Sequence, residues 1–243
     1  MKTKKFRKPR YVGDPCNTVR IFNELEADEI IVLDISATTS GRGPDFDLLE
    51  VIADEAFMPM AYGGGITSFS EAQRIFNIGF EKIVLNSAAI QNPKLISEIA
   101  GVYGSQAVVV SIDVRQVRFF GVRVMRKQRQ VCSKMRPSEW AIEAVNHGAG
   151  ELLITSVDHE GMWGGLDIAT ISTITQVVPV PVIAHGGIGN LDHVIEGLEH
   201  GGAHSVAIGS AVVFQKQDQG VLVNFRLKDE FLAKILADGM AEN

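Results

Sequence analysis

Short runs of apolar and β-branched residues alternate with segments of helical periodicity along most of the chain. Such alternation is typical of parallel strands joined by crossover helices. The apolar runs predict seven strands, at Ile30–Ile35, Met58–Tyr62, Lys82–Asn86, Ala107–Asp113, Glu151–Ser156, Val180–Ala184 and Ser205–Ile208. The intervening segments predict helices near Asp14–Ala27, Asp45–Ala56, Ser70–Gly79, Pro93–Tyr103, Pro137–Gly148, Asp167–Val177 and Leu191–His200.

This order of elements predicts an α/β fold of the (β/α)8 TIM-barrel type, formed by residues 1–243 as a single domain. A barrel of this kind uses about 250 residues and eight strands, and the chain has 243 residues. Only seven strands are predicted, and a polar basic stretch stands where an opening strand would belong. We therefore expect the first strand to be missing from this chain. A hairpin is predicted at Arg115–Val124, after the fourth predicted strand.

One sequence pattern occurs twice and predicts two related half-barrels. Asp34 and Gly65 are 31 residues apart, and so are Ser156 and Gly187. The next strand end with a serine follows after 22 residues in the first half and 23 in the second. Chance rarely keeps both intervals within one residue, so we expect a two-fold repeat.

The repeated strand ends are rich in Gly, Ser and Asn, which allow backbone N–H groups to approach an anion closely. A lone glycine pair is weak evidence, but two sets at matched spacing indicate a substrate with a phosphate at each end. One phosphate site is predicted at Gly64, Gly65, Asn86 and Ser87, and the other at Gly161, Gly186, Gly187, Gly209 and Ser210.

Two carboxylates end apolar runs and are candidates for chemistry, since active sites of such barrels form at the carboxyl ends of the strands. Asp113 would be partly buried, with a raised pKa suited to acid–base catalysis; its alternative role is to cap the following loop. Asp34 is expected in the substrate site, with orientation of loop backbone as its alternative. Ser156 is expected there too, and His185 either contacts phosphate or packs. The spacing of His and Cys predicts no metal site, and no redox cofactor is expected.

Charge and composition narrow the function class. The net charge is −6, although six of the first ten residues are Lys or Arg. Without an apolar segment behind it, that start is not a signal peptide, and an otherwise acidic chain does not favour nucleic-acid binding. The eight basic residues from Arg115 to Arg136 form either a solvated excursion or a phosphate-facing loop. Two cysteines, Cys16 and Cys132, and no apolar run of about 18 residues predict a cytoplasmic protein without a membrane span.

Several of these motifs together resemble one family, the cyclase subunit of imidazole glycerol phosphate synthase in the histidine-biosynthesis barrel group. The resemblance extends from about Lys2 to Phe214, nearly the whole chain. The matching motifs are Asp34, Gly63–Ile66, Asn86–Ala89, Gly104–Gln106 leading into Asp113, and Gly148–Ser156.

The resemblance implies a (β/α)8 barrel that is a lyase without a cofactor. Its substrate would be the bis-phosphorylated ribulosyl aminoimidazole carboxamide ribonucleotide. It would use ammonia, delivered through the barrel from a glutaminase subunit in a heterodimer, to form imidazole glycerol phosphate and an aminoimidazole ribonucleotide.

Residue roles follow from the same resemblance. Asp113 matches the second catalytic aspartate of the family, a general acid, and Lys2 matches a lysine of a mobile loop that closes over one phosphate. The ammonia gate at the bottom of the barrel is matched by Glu29, Lys82 and Glu151, and an acidic residue that faces the glutaminase by Glu81.

The chain also departs from the family pattern. The opening strand of the family carries its other catalytic aspartate and a gate arginine, and this chain starts after both. Lys127–Ser133 lacks the usual Gly-rich pattern, and Glu160 replaces an aspartate. The tail Phe214–Phe225 resembles a divergent branch whose members look like ammonia suppliers for amidotransfer to surface-polysaccharide sugars. Three hypotheses therefore stand: a cyclase, an ammonia-channelling subunit for sugar amidotransfer, and a truncated inactive barrel that binds phosphorylated ligands.

Overall fold

The computed structural model describes residues 1–126, 130–131, 135–217 and 219–241. In this part of the chain the strands are β1 (Lys2–Lys4), β2 (Arg7–Arg10), β3 (Ile30–Leu33), β4 (Met60–Gly63), β5 (Lys82–Leu85), β6 (Val108–Val117), β7 (Gly121–Arg126), β8 (Gln130–Val131), β9 (Glu151–Ser156), β10 (Val182–His185) and β11 (Ser205–Ala207). The helices are α1 (Pro15–Glu24), α2 (Ala37–Ser40), α3 (Phe46–Glu55), α4 (Phe69–Ile78), α5 (Ser87–Gln91), α6 (Lys94–Tyr103), α7 (Pro137–Asn146), α8 (Ile168–Thr175), α9 (Leu191–Ile195), α10 (Ser210–Val213) and α11 (Arg226–Ala241). A 3₁₀ turn at Ser105–Ala107 precedes β6, and α9 continues as a π-helix at Glu196–His200.

Seven strands form one parallel sheet in the order β11–β10–β9–β6–β5–β4–β3. Helices connect the consecutive parallel strands, as the crossover geometry of parallel pairs requires. β6 continues beyond the sheet to Val117 and returns as β7 in an antiparallel hairpin, to which β8 adds. The hairpin predicted at Arg115–Val124 is thus confirmed, while Cys132 and most of Lys127–Ser133 lie outside the described residues.

The parallel sheet is curled. One inward-facing apolar cluster takes a residue from each of its strands: Ile31, Ala61, Val84, Val109, Leu153, Ile183 and Ala207. Ile31 lies on one edge strand and Ala207 on the other, and one cleft is lined both by Leu33 of β3 and by His185 of β10, which neighbours the opposite edge strand. Within the described ranges, β3 and β11 are not paired with each other. The fold is therefore α/β with a curled parallel sheet, similar to a TIM barrel; the two-fold repeat and the missing first strand stay predictions.

The outer face of the sheet packs against the helices. Alternate β6 residues Val108, Val110 and Ile112 point outward and join a large core with Trp140 of α7. Because side chains alternate along a strand, the intervening residues of β6 face the interior. Five of the described helices begin where a polar side chain accepts from the third backbone N–H. The capping residues are Asp14, Asp45, Ser68, Asp167 and Asn190. Among the described residues, no helix is both long and apolar enough to cross a membrane.

The basic N-terminal segment, for which no strand was predicted, forms two short strands. β1 and β2 pair antiparallel in a separate two-stranded sheet, with Lys2 opposite Arg10 and Lys4 opposite Arg7. We call Lys2–Arg10 the N-terminal ribbon. At the other end of the chain, α11 has no counterpart in the predicted helices, and Phe214 of the tail forms an antiparallel bridge with Val221.

Candidate functional site

The carboxyl ends of the parallel strands open into a cleft of about 760 Å³. The strand-end residues that line it include Asp34, Gly64, Gly65, Asn86, Ser87, Asp113, Thr155 and His185. The N-terminal ribbon lines the same cleft through Thr3, Phe6 and Arg7. The structure thus brings the predicted acid, the first predicted phosphate site and the ribbon around one cavity.

Asp113 lies on the inner face of β6, beside Thr155 of β9 in the sheet register. Asn86 Nδ2 donates a hydrogen bond of 2.8 Å to Asp113 Oδ2. Burial raises the pKa of Asp113 to about 6; hydrogen bonds from Asn86 and Ser111 act in the opposite direction, and the charge of Glu160 adds to the rise. A carboxyl group with this pKa exchanges protons readily near neutral pH.

Asp34 has a different environment at the end of β3. Its Oδ1 accepts from Ser36 N, Ser36 Oγ and Ala37 N at 2.9, 2.8 and 3.1 Å, and its Oδ2 accepts from Arg42 at 2.6 Å. Burial opposes ionisation, but these hydrogen bonds and the Arg42 charge outweigh it, so the pKa of Asp34 lies below its ordinary value. This carboxylate stays ionised and holds the loop between β3 and α3 at the edge of the cleft.

Two glycine pairs follow the ends of parallel strands, Gly64–Gly65 after β4 and Gly186–Gly187 after β10. Within the described residues, the backbone N–H groups of these four glycines donate to no backbone carbonyl and to no side chain. Gly64 has φ +140°, and an added methyl group would lie 2.7 Å from the Asp34 carbonyl oxygen. Such close approach leaves only glycine acceptable, and it exposes amide donors that suit an anion.

The second predicted phosphate site forms a small pocket next to the cleft. Its lining contains Lys2, Gly161, Gly186, Gly187, Gly209 and Ser210, all predicted from the sequence, and also Glu160 and His185. The Lys2 amine lies so close to Gly209 that a methyl group there would collide with Nζ. Burial lowers the pKa of Lys2, and the charge of Glu160 opposes that effect.

The N-terminal ribbon is held over the cleft by Glu160, which is only 4% exposed. Its carboxylate accepts from Thr3 Oγ1 at 2.9 Å and from Phe6 N at 3.0 Å, and its carbonyl oxygen accepts from Lys5 N at 2.9 Å. Two residues earlier in the same loop, Asp158 accepts from the β6–β7 hairpin, from Arg115 Nε at 3.3 Å and Gln116 N at 2.9 Å. One loop after β9 therefore anchors both hairpins.

The predicted gate residues meet at the opposite end of the strands. Lys82 Nζ lies 2.9 Å from Glu29 Oε2 and 2.8 Å from Glu151 Oε1. Partial burial disfavours the charge on Lys82, but hydrogen bonds to both glutamates outweigh it and raise the pKa of Lys82. We call Glu29, Lys82 and Glu151 the charged cluster. Glu81, expected to face a partner, accepts from Met60 N at 2.7 Å through its carboxylate.

Of the residues predicted for the substrate and phosphate sites, Ser156 is the one that lines neither the cleft nor the small pocket. Its carbonyl oxygen accepts from His159 N and Glu160 N in the β9 loop. The neighbouring Thr155 faces inward instead. Thr155 and Arg42 were not predicted as site residues. Thr155 directly precedes Ser156 in the sequence, and Arg42 contacts the predicted Asp34 in space.

Comparison with known proteins gives a consistent assignment. Residues 1–218 match the family model described as histidine biosynthesis protein. A Pseudomonas aeruginosa protein, provisionally named imidazole glycerol phosphate synthase subunit hisF2, is 42% identical over 225 residues, covering 93% of this chain and 90% of the relative. The imidazole glycerol phosphate synthase subunit HisF of Exiguobacterium sibiricum is 42% identical over 203 residues, which cover 84% of this chain and 81% of that relative. The sequence match covers most of both chains, and the curled parallel sheet carries its polar residues at the strand ends. This chain therefore belongs to the histidine biosynthesis protein family.

Proposed function

We propose that this chain is the cyclase subunit of imidazole glycerol phosphate synthase, a lyase of histidine biosynthesis. It uses ammonia from a glutaminase partner to convert the bis-phosphorylated ribulosyl aminoimidazole carboxamide ribonucleotide into imidazole glycerol phosphate. The observation that carries the proposal is the position of Asp113, a carboxyl group with a pKa of about 6, in a cleft flanked by two sets of glycine amides. The relatives' names agree with this activity, and they give no support to surface-sugar amidotransfer over it.

The two glycine sets would hold the substrate by its two phosphates, one at Gly64 and Gly65 and the other at Gly186 and Gly187. Their matched sequence spacing supports a barrel of two related halves. Fixing both ends of the substrate places its reacting centre over the strand ends. The substrate then loses its translational and rotational freedom on binding, which lowers the activation free energy of the chemical step. Lys2 adds positive charge at the second phosphate.

Asp113 would act as the general acid. Between pH 6 and 7 part of the population is protonated, so Asp113 can give a proton to a leaving nitrogen or oxygen, while Asn86 fixes its orientation through the 2.8 Å hydrogen bond. General acid–base groups contribute typically about 10²–10⁴-fold to the rate.

The interior of the sheet is layered in a way that suits ammonia transfer. The charged cluster lies at the N-terminal ends of the strands, the seven-residue apolar cluster follows, and the polar cleft lies at the carboxyl ends. Along β5, Lys82 and Asn86 are four residues apart, which is about 13 Å. Neutral ammonia crosses an apolar layer at far lower cost than ammonium, so the gate would admit ammonia from a glutaminase bound at the N-terminal face.

One assay tests the cyclase. Purified protein is mixed with the bis-phosphorylated ribonucleotide and excess ammonium, and imidazole glycerol phosphate is quantified. We expect turnover that falls at least about 10²-fold in Asp113→Asn and is unchanged in Asp54→Asn, an exposed carboxylate in α3. Tight, phosphate-dependent binding without any turnover by the wild-type protein would reject the cyclase.

A further inference from the structure

His185 occupies a position at which the sequence left two roles open. It ends β10, beside Thr155 of β9 and Ala207 of β11 in the sheet register. Register partners on neighbouring parallel strands point to the same face, so His185 and Thr155 project inward together with Asp113. His185 is also shared between the cleft and the small phosphate pocket, since it lines both.

The ring is oriented by Thr155. Thr155 Oγ1 lies 3.1 Å from His185 Nδ1, and the threonine is buried at 3% exposure. With Nδ1 engaged, Nε2 is the ring atom left to meet a ligand. It faces Gly209: a methyl group added to that glycine would lie 3.7 Å from Nε2, and the same methyl group would collide with Lys2 Nζ. The imidazole Nε2 and the Lys2 amine therefore lie against one glycine of the pocket.

We propose, on the basis of the proposed function, that His185 binds the substrate phosphate held at Gly186 and Gly187 through Nε2–H, and that Thr155 is the positioning residue that fixes its tautomer. A phosphate oxygen only accepts hydrogen bonds, so Nε2 must carry the proton in the complex. Nδ1 is then an acceptor, and the Thr155 hydroxyl donates to it. Burial and the Lys2 charge lower the pKa of His185 to about 3, so the ring contacts phosphate as a neutral donor and Lys2 supplies the positive charge.

Two substitutions at His185 separate phosphate contact from packing. Glutamine places an amide N–H near the position of Nε2, whereas asparagine reaches only the position of Nδ1. A hydrogen bond to a charged group contributes about 1.5–3 kcal/mol, so we expect His185→Asn to weaken phosphate binding at least about tenfold. His185→Gln should retain most of the affinity. A residue that only fills space would give the two variants equal effects.

Thr155 offers a second matched pair. Thr155→Val keeps the shape and removes the hydroxyl, whereas Thr155→Ser keeps the hydroxyl. We expect Thr155→Val to weaken phosphate binding and Thr155→Ser to restore it, because the hydroxyl fixes the Nε2–H tautomer. The ¹⁵N resonance of His185 Nε2 should lie in the protonated, pyrrole-like range in the phosphate complex of the wild-type protein and of Thr155→Ser.

Inorganic phosphate is the probe, and the backbone amide resonances of Gly187 and Gly209 report its binding at this pocket in every variant. These spectra also show whether each variant is folded. The proposal is overturned if phosphate leaves the wild-type resonances unmoved, if His185→Asn has the wild-type dissociation constant, or if Nε2 is unprotonated in the complex. Turnover does not enter this experiment, so a phosphate effect at His185 without cyclase activity would reject the proposed function and leave this inference standing.

Discussion

Replacement of Asp113 by asparagine should lower turnover at least about 10²-fold and at the same time stabilise the fold at neutral pH. In the wild-type protein burial raises the pKa of this carboxyl group from 3.8 to about 6. That difference corresponds to about 3 kcal/mol, the cost of keeping the group ionised in the folded state. The asparagine side chain has nearly the same shape and carries no charge, and its amide oxygen can accept the hydrogen bond from Asn86.

The pKa of Asp113 in the folded and unfolded states sets how the free energy of unfolding changes with pH. The folded protein holds the Asp113 proton up to about pH 6, whereas the unfolded chain loses it near pH 4. Between these values the folded state binds more protons, so wild-type stability falls as the pH rises, and the full penalty is present above pH 6. Asparagine has no such penalty. We therefore expect Asp113→Asn to raise the free energy of unfolding by about 1–3 kcal/mol at pH 7.5 and by almost nothing at pH 4.

Urea denaturation of both proteins at the two pH values measures this difference, and initial rates with ammonium measure the loss of turnover. Asp34→Asn is the matched control, because hydrogen bonds and Arg42 hold the pKa of Asp34 below its ordinary value. Its stabilising contribution is present above the unfolded pKa and is lost as the pH falls, so Asp34→Asn should destabilise the protein at pH 7.5. If Asp113→Asn destabilises it equally there, burial does not dominate at Asp113 and the reasoning fails.

Three further predictions concern other parts of the site. Gly64→Ala should cost about 1–3 kcal/mol of stability and raise KM, because φ is +140° there. Gly101→Ala meets open space in α6, so it should leave KM unchanged and raise the melting temperature slightly, as alanine favours the helix over glycine. Lys82→Met should lower stability by about 2 kcal/mol, because it leaves two partly buried carboxylates without their cation. It should also change the ratio of glutamine-driven to ammonium-driven turnover; an unchanged ratio would argue against a gate. Finally, kcat at a fixed concentration of free ammonia should fall as the pH rises through about 6, because the acid form of Asp113 is lost, and a flat profile from pH 5 to 8 would exclude Asp113 as the acid.

The sequence predicted the parallel strands well because strands buried on both faces are continuous apolar runs. All seven predicted strands overlap the seven of the curled sheet, and the polar residues that end them lie at the cleft. The same continuity bears on Ser156, which was predicted for the substrate site and lines neither the cleft nor the small pocket. When both faces of a strand are buried, apolar pattern does not show which of two adjacent residues points inward, and the structure assigns that position to Thr155.

The N-terminal ribbon could not be predicted for a different reason. Its sequence is dominated by Lys and Arg, and its stabilising partner, Glu160, is more than 150 residues away along the chain. Local propensity carries no information about such a contact. His185 shows the same limit, since its orientation depends on Thr155, a residue on the neighbouring strand.

The short loop after β9 has a consequence for anyone who exchanges parts of this protein with a relative. Asp158 ties down the hairpin of β6 and β7, and Glu160 ties down the N-terminal ribbon. Loop residues 157–160 thus serve as a shared joint for two covers of the cleft, the β6–β7 hairpin and the N-terminal ribbon, which come from distant parts of the chain. A transplanted hairpin or ribbon will seat only if the joint travels with it, and a shift of the joint will displace both covers at once. The three segments should therefore be exchanged together.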